Sequence, residues 1–215
     1  MSEPVLFDVD DGGVATITLN RPERLNAINI EMRDLLWTYL GAIRDMPDVR
    51  AVVFRGEGRC FSAGADISEF GTAPNIIEAR RARHERDVWW ELLNVKVPTI
   101  ARMHGYCYGA GLELPLCCDY RVAARGSSFA VPEVTLGYIP SAGGTQTLPR
   151  IMPPGVAAHM ILSGEPIDTI EALRWRLVAT VVAEDELDTA VREASKKALA
   201  DPDAFMARRR RMVRS

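Results

Sequence analysis

A short apolar strand, a glycine-rich loop and a helix follow one another repeatedly along this chain, and this order constrains the fold most strongly. The pattern is clear at residues 51–67 and 103–117, and it is looser at residues 129–148. Helices that follow strands in this way favour parallel pairing, and the loops between them commonly carry ligand groups. The sequence therefore predicts an α/β domain with its functional residues on strand-to-helix loops.

Other elements follow from turn and capping residues. Residues 10–13 separate two apolar runs and predict a hairpin, and Asn29 is a candidate cap for a helix with apolar residues at helical spacing. Residues 75–93 read as a charged helix, and residues 177–182 as a strand within a mainly helical stretch that begins at residue 154. We expect a core domain over residues 1–183 and a helical C-terminal segment over residues 184–215.

Two glutamates stand alone in long uncharged runs. Glu113 interrupts residues 106–118, and Glu133 interrupts residues 127–149. A carboxylate that is removed from water without a partner costs several kcal/mol, or its pKa rises. Because both glutamates lie beside glycine-rich backbone, they indicate acid/base chemistry in a dry pocket.

The loops at residues 62–66 and 105–111 consist largely of small residues, which let a ligand approach main-chain N–H groups closely. Each loop alone is equally well explained as a tight turn. Two such loops and two glutamates together indicate a site that holds the oxygen of a polarised carbonyl while carboxylates move protons. In related chemistries the loss of one such donor costs about 3 to 4 kcal/mol.

Composition and charge narrow the function classes. The formal net charge of -3 argues against a nucleic-acid partner, and no apolar run approaches the roughly 18 residues of a membrane span. The N-terminus lacks the basic and apolar regions of a signal peptide, so we expect a cytoplasmic protein. Basic runs at residues 80–86 and 208–211 read as solvated helix faces, with a phosphate contact as the alternative.

Several familiar motifs are absent or incomplete. The four cysteines lack zinc-site spacing, which predicts reduced core thiols and no metal. The glycines of residues 105–111 imitate a dinucleotide fingerprint, but no tyrosine is followed four positions later by lysine. Residues 60–64 nearly match a nucleophile elbow centred on Ser62, although Cys60 stands where the first glycine belongs.

Four ordered segments resemble the crotonase, or enoyl-CoA hydratase/isomerase, superfamily: residues 20–29, 61–67, 104–114 and 132–146. The resemblance extends over residues 5–182. It implies a spiral of ββα units assembled as a homotrimer or hexamer, with a helical C-terminal region that is shortened relative to the family. Members of the family commonly use further C-terminal helices to close the acyl pocket, so we expect weaker substrate binding and slower turnover.

The resemblance also implies a function, the hydration of an enoyl-CoA, and a role for each matching residue. The thioester oxygen of an acyl-CoA substrate would accept hydrogen bonds from the N–H groups of Ala65 and Ala110, with no cofactor beyond the coenzyme A of the substrate itself. Glu113 would act as base toward a water and Glu133 would protonate the α-carbon. Arg24 would contact the CoA phosphates, and the backbone of Ala63 the adenine. Further ligand contacts are implied for Gly64, Asp66, Ile67, Gly109, Tyr138 and Ser141.

Some positions depart from the family pattern. Pro115 lies within the helix that carries Glu113 and would remove a hydrogen bond to the Gly111 carbonyl. Ser141 occupies a position that is often glycine, and Arg176 replaces a helix-ending glycine at a cost of about 1 kcal/mol if its φ is positive. A Δ3,Δ2-enoyl-CoA isomerase and a catalytically impaired CoA-binding homologue remain the alternatives. Trp89 and Trp90 fit either the acyl pocket or the core.

Overall fold

The computed structural model describes residues 3–75, 77–78 and 85–214, and beyond residue 207 the only side chain described is that of Arg209. The strands are β1 Val5–Val9, β2 Val14–Leu19, β3 Ala51–Gly56, β4 Thr99–Met103, β5 Tyr106–Tyr108, β6 Tyr120–Ala124, β7 Ser128–Ala130 and β8 Thr180–Val182. The α-helices are α1 Ile30–Asp45, α2 Val88–Asn94, α3 Ala110–Leu116, α4 Gly144–Ile151, α5 Pro154–Ser163, α6 Thr169–Arg174, α7 Leu187–Ala200 and α8 Pro202–Arg214.

Six strands form one sheet in the order β1-β2-β3-β4-β6-β8, and β5 pairs with β7 in a second, smaller sheet. The hairpin of β1 and β2 is antiparallel, whereas every other pair in both sheets is parallel. The α/β prediction is therefore confirmed, and so is the hairpin at residues 10–13.

Successive chain segments place one strand in each sheet and then a helix, which winds the chain into a spiral of ββα units. β4, β5 and α3 form one such unit, and β6, β7 and α4 form the next. An isolated parallel bridge between Ser62 and Cys107 adds a single residue after β3 to the smaller sheet. Each turn of the spiral thus brings one strand-to-helix loop to the same side of the molecule.

The larger sheet is buried on both faces. Val52 and Phe54 of β3 belong to the main apolar cluster, whereas Val53 between them faces a second cluster. Leu187 and Val191 of α7 contribute to that second cluster, so α7 covers the sheet face opposite the main core. Burial on both faces explains why β3 reads as a continuous apolar run instead of an alternating one.

The predicted helix boundaries are partly confirmed. The Asn29 side chain accepts a hydrogen bond from the Met32 N–H and caps α1, as predicted. α2 begins only at Val88, after the capping residue Asp87, so the prediction of a helix is wrong for residues 85–87. Residues 76 and 79–84 of that predicted helix, which include most of the first basic run, lie outside the described residues.

The two residues flagged as unusual for their helices have different outcomes. α3 continues through Pro115 and ends one residue later, with the Cys117 N–H bonded to the Leu114 carbonyl. Arg176 does adopt the left-handed conformation, with a φ of 63°, directly after α6. None of the helices in the described part of the chain is both long and apolar enough to cross a membrane.

Candidate active site

A cavity of about 1140 Å³ opens where the strand-to-helix loops of the spiral converge. Its wall contains residues from the loops after β3 and β5, from the 3₁₀ turn Pro132–Leu136 and from the segment before α4. All of the predicted site residues line this cavity except Arg24, which is exposed on a 3₁₀ turn, Pro22–Arg24. The lining predicted residues are Ala63, Gly64, Ala65, Asp66, Ile67, Gly109, Ala110, Glu113, Glu133, Tyr138 and Ser141.

The loop after β3 leaves the main-chain N–H group of Ala65 for a ligand. The amides of Ser62, Ala63 and Asp66 donate to the carbonyl oxygens of Tyr106, Leu25 and Ile28, respectively. The Gly64 amide donates to the Ser62 hydroxyl at 3.2 Å. Within the described part of the chain, the Ala65 N–H has no acceptor, and Ala65 lines the cavity. A main-chain donor that is spared in this way is available to a ligand oxygen.

The loop after β5 provides a second donor. Ala110 is the first residue of α3, so its N–H has no carbonyl partner within the helix and gains from the positive end of the helix dipole. The two loops touch, because a Cβ added at Gly64 would lie 3.1 Å from the Tyr108 carbonyl oxygen and 3.9 Å from the Ala110 nitrogen. The free N–H groups of Ala65 and Ala110 therefore lie at neighbouring points of the cavity wall.

Glu113 projects from the first turn of α3 and is 2 % exposed. Its Oε1 accepts hydrogen bonds from the main-chain N–H groups of Ala142 at 3.0 Å and Gly144 at 2.7 Å. These amides belong to the segment that starts α4, so α3 and α4 of successive ββα units jointly fix the carboxylate. Pro115 does not prevent this, because it lies in the last turn of α3.

Glu133 lies on the 3₁₀ turn after β7 and is 4 % exposed. Its Oε2 has no hydrogen-bond partner among the described residues, and no ion pair neutralises it there. Burial raises the pKa of Glu133 above the ordinary value of 4.5, and only its own main-chain N–H acts in the opposite direction. A Cβ at Gly109 would lie 3.0 Å from Oε1, so glycine at 109 leaves room for this carboxyl group beside the Ala110 donor.

Tyr138 and Ser141 lie near the two glutamates. Desolvation raises the pKa of the Tyr138 hydroxyl, and the charges of Glu133 and Glu113 raise it further, which shows that both carboxylates lie within electrostatic range. Ser141 is exposed at the cavity wall beside Ala142, whose amide holds Glu113. These positions bring a phenol near both glutamates and a hydroxyl beside the amide that binds Glu113.

The loop after β3 is held by an ion pair that the sequence did not reveal. Arg21 Nη1 donates to the Asp66 carboxylate at 3.0 Å and to the Ala27 carbonyl at 2.7 Å. A hydrogen bond from Ser68 is the largest cause that lowers the pKa of Asp66, and the Arg21 guanidinium adds to it. The Asp66 side chain is thus bound within the protein, and so are its main-chain N–H and carbonyl, which bond to Ile28 and Glu69.

Comparisons with known proteins agree with this geometry. The family model for enoyl-CoA hydratase/isomerase matches residues 10–215. The chain belongs to the enoyl-CoA hydratase/isomerase family. The (E)-benzylidenesuccinyl-CoA hydratase of Thauera aromatica is 37% identical over 214 residues, which cover 98% of this chain and 82% of that enzyme. The short-chain-enoyl-CoA hydratase of Clostridium acetobutylicum is 38% identical over 189 residues, or 87% of this chain and 72% of that enzyme.

Solved structures give the same fold. A crystal structure of enoyl-CoA hydratase from Mycobacterium smegmatis aligns with a TM-score of 0.88 at 32% identity, and the alignment covers 95% of this chain and 80% of that chain. The crotonase fold that the sequence motifs implied is therefore confirmed.

This family member has an aromatic wall that the sequence left undecided. Trp89 and Trp90 of α2 both line the cavity, and Phe70 contacts Tyr138 edge to face with ring centroids 5.7 Å apart. The guanidinium of Arg33 lies 5.9 Å from the centre of the Trp89 ring. Two adjacent tryptophans on a predicted helix fit a cavity wall and a core equally well, which is why the sequence left them undecided.

The described residues contain neither a candidate metal cluster nor an accessible Ser62 hydroxyl. No group of three or more His, Cys, Asp or Glu side chains within the described residues could hold a metal ion. Ser62, the centre of the incomplete nucleophile elbow, is fully buried, and its hydroxyl donates to the Asn26 carbonyl at 2.8 Å. This burial agrees with the incomplete match to a nucleophile elbow, because the Ser62 hydroxyl does not face the cavity.

Proposed function

We propose that this chain adds water across the 2-trans double bond of an enoyl-CoA thioester. One observation carries the proposal: one cavity brings together two main-chain N–H groups without an acceptor among the described residues and two buried carboxyl groups in contrasting surroundings. The names of the relatives, which are hydratases of enoyl-CoA compounds, support the same reaction class.

In this reaction the N–H groups of Ala65 and Ala110 bind the thioester oxygen and withdraw electrons from the conjugated double bond. The oxygen of a water molecule attacks C3, and Glu113 takes the proton that this water loses. The electron pair of the double bond moves toward the thioester oxygen and gives an enolate, which the two N–H groups stabilise. Glu133 then gives its proton to C2, and the enolate returns to a thioester.

The surroundings of the two carboxyl groups fit these separate roles. Two main-chain N–H donors on Glu113 favour a carboxylate that is ionised and able to accept a proton. Burial raises the pKa of Glu133 and thereby favours the protonated form, which the second step needs. After the reaction Glu113 carries a proton and Glu133 is ionised, so a proton must return to Glu133 before the next turnover.

An isomerase would move a proton between two carbons and needs only one such carboxylate. Two carboxyl groups of opposite character therefore favour hydration over isomerisation. Coenzyme A would extend from the cavity past Ala63, whose N–H is already bonded to the Leu25 carbonyl, toward the exposed Arg24 guanidinium. The positive charge of Arg24 suits the CoA phosphates at that point.

We also propose that the protein self-associates as a homotrimer or hexamer. Leu162 of α5 and Ile170 of α6 are 74% and 75% exposed, and Leu173 adds to the apolar surface of α6. Sedimentation velocity at micromolar concentration tests this proposal. A folded monomer would contradict it.

The function is tested by following the loss of the conjugated-enoyl absorbance of crotonyl-CoA. The proposal predicts that Glu113→Gln and Glu133→Gln each lower the rate at least about 100-fold, because each removes a proton-transfer group. Glu69→Gln is the matched control, since Glu69 also lines the cavity but its carboxylate accepts from the Ile30 N–H. The control should keep near-native turnover.

Three outcomes separate the alternatives. Near-native turnover in either catalytic variant assigns that glutamate a structural role and contradicts the mechanism. Conversion of a 3-enoyl-CoA without hydration of crotonyl-CoA identifies an isomerase. Tight binding of acyl-CoA in calorimetry, with no reaction on either substrate, identifies a binding protein.

A further inference from the structure

Ser62 occupies the point where the two donor loops meet. It is fully buried and lies outside the cavity wall. Its isolated bridge to Cys107 joins the loop after β3 to β5, the strand that leads into α3. A single residue thus contacts both segments that carry a free N–H group.

Toward the first loop, Ser62 acts through its hydroxyl. Oγ donates to the Asn26 carbonyl at 2.8 Å and accepts from the Gly64 N–H at 3.2 Å. Gly64 directly precedes Ala65, so this hydrogen bond fixes the peptide next to the donor. Gly64 has a φ of 114°, which glycine adopts without steric cost, and its carbonyl oxygen accepts from the Ile28 N–H at 2.8 Å, so Ser62 and Ile28 hold the two peptides of Gly64.

Toward α3, Ser62 acts through its main chain and by contact. Its carbonyl oxygen accepts from the Tyr108 N–H at 3.0 Å, and its own N–H donates to the Tyr106 carbonyl at 3.1 Å. A Cβ added at Gly111 would lie 2.6 Å from the Ser62 Cβ, Oγ and carbonyl oxygen. The first turn of α3, which begins with Ala110, therefore rests directly on Ser62.

We infer that Ser62 is a positioning residue that sets the separation of the Ala65 and Ala110 N–H groups. Two donors share one thioester oxygen only if their distance matches, and donors that are fixed in advance lose nothing to reorganisation as charge develops. The inference rests on the proposed function for its effect on rate, whereas the placement of the donors is measurable without turnover.

The test compares Ser62→Ala with Ser195→Ala. Ser195 of α7 is also buried, and its hydroxyl donates to the Val191 carbonyl at 3.0 Å, but it lies on the opposite sheet face. In Ser62→Ala the Gly64 N–H loses its acceptor and the Ala65 peptide shifts. Complete loss of a donor costs about 100-fold or more in kcat, so a displaced donor should lower kcat about 10-fold with little change in KM. Ser195→Ala should lower the thermal midpoint but leave kcat unchanged.

A second readout reports the donors directly. Butanoyl-CoA, which cannot be hydrated, is labelled with carbon-13 at the thioester carbonyl, and its infrared stretching frequency is measured free and bound. Two matched N–H donors should lower the bound frequency in the wild type and in Ser195→Ala. The shift should be clearly smaller in Ser62→Ala. Ser62→Cys, which keeps the packing and a weak hydrogen-bonding group, should fall between the two.

The outcomes distinguish this inference from the proposed function. Wild-type kcat and carbonyl shift in Ser62→Ala would overturn the inference while leaving hydration intact. Equal losses of kcat in Ser62→Ala and Ser195→Ala would also overturn it, because the effect would then follow stability. A wild type that hydrates no enoyl-CoA, but whose carbonyl shift depends on Ser62, would contradict the proposed function and support the inference.

Discussion

Two buried acidic groups, Glu133 in the cavity and Asp119 between α3 and β6, differ in their surroundings. Desolvation raises the pKa of both. Asp119 Oδ2 accepts from the Thr99 main chain at 2.8 Å and lies 3.4 Å from the Arg209 guanidinium, whose charge lowers the pKa again. No cation contacts Glu133 within the described residues. A buried carboxyl group that is paired with a guanidinium stabilises the fold, whereas a buried carboxyl group without such a partner is available for chemistry.

Arg209 shows how far the structural role extends. Its guanidinium donates to the Val95 and Val97 carbonyls at 2.8 and 2.9 Å and to the Thr99 hydroxyl at 3.0 Å. It thereby joins α8 to the end of α2 and to the start of β4. The Arg209 guanidinium therefore binds main-chain acceptors as well as the Asp119 carboxylate, and this group of contacts is structural.

The largest expected effect removes the cation. Arg209→Met leaves Asp119 buried without its partner and should cost about 3 to 5 kcal/mol in the free energy of unfolding. Arg44→Met is the control, because the exposed Arg44–Glu91 pair should contribute less than about 1 kcal/mol. Urea unfolding measures both, and kcat at temperatures well below the transition should stay within about threefold for both, since neither residue lines the cavity. Equal stability of the two variants would show that the buried ion pair contributes no more than the exposed one.

A smaller effect is expected from displacing an acidic group within the cavity. A Cβ at Gly144 would lie 2.9 Å from Glu113 Oε1, so Gly144→Ala pushes the carboxylate away from its amide donors. Misplacement by about 1 Å can cost about 100-fold in rate, and we expect a loss of that order in kcat. Gly155→Ala is the control, because no atom lies within 4 Å of a Cβ there. Normal turnover in Gly144→Ala would show that the position of Glu113 does not limit the reaction.

The third prediction concerns stability and pH. Because the folded protein binds a proton at Glu133 more tightly than the unfolded chain, Glu133 contributes stability at pH values below its ordinary pKa of 4.5 and loses it as pH rises through the raised folded value. Glu133→Gln removes this loss. We therefore expect the Glu133→Gln variant to gain thermal stability relative to the wild type as pH increases above about 4.5. A constant difference at all pH values would show that Glu133 does not titrate differently on folding.

The smallest expected effect concerns the free energy of unfolding and a residue outside both the cavity and the Asp119–Arg209 pair. Arg176 is exposed and has a φ of 63°, which glycine adopts without steric cost. Arg176→Gly should raise the free energy of unfolding by up to about 1 kcal/mol and leave kcat unchanged. Urea unfolding of this variant calibrates the two larger stability effects. A destabilised variant would mean that the Arg176 side chain makes a compensating contact.

The sequence predicted the residues of the cavity better than the buried pair of Asp119 and Arg209. Glu113 and Glu133 stood out because burial of a lone carboxylate requires a reason, and that reason is visible in a local run of uncharged residues. Arg209 could not be found in this way. It lies in a run of four arginines that reads as a solvated face, and this interpretation is wrong for Arg209, which is 2% exposed.

Long-range contacts explain the other differences. The motif at residues 20–29 pointed to Arg24, but Arg21 is the residue that reaches the cavity-lining Asp66, because the pair forms only when two distant loops meet. Ser62 matched only an incomplete nucleophile motif, and the sequence did not show that its hydroxyl donates to the Asn26 carbonyl. Local spacing predicts which loops carry ligand groups, whereas the direction of each side chain depends on segments far away in sequence.

The parallel pairing of the spiral also determines when the site can form during synthesis. Val52 of β3 pairs with Thr99 of β4, and Val122 of β6 pairs with Thr180 of β8, so each pairing waits for a long intervening segment. Such non-local topologies fold slowly, because the entropy of closing a long loop is lost before the contacts form. Glu113 acquires its amide donors only after residue 144 has left the ribosome. A nascent chain that already contains Ala65 and Ala110 therefore still lacks the amide donors that hold Glu113.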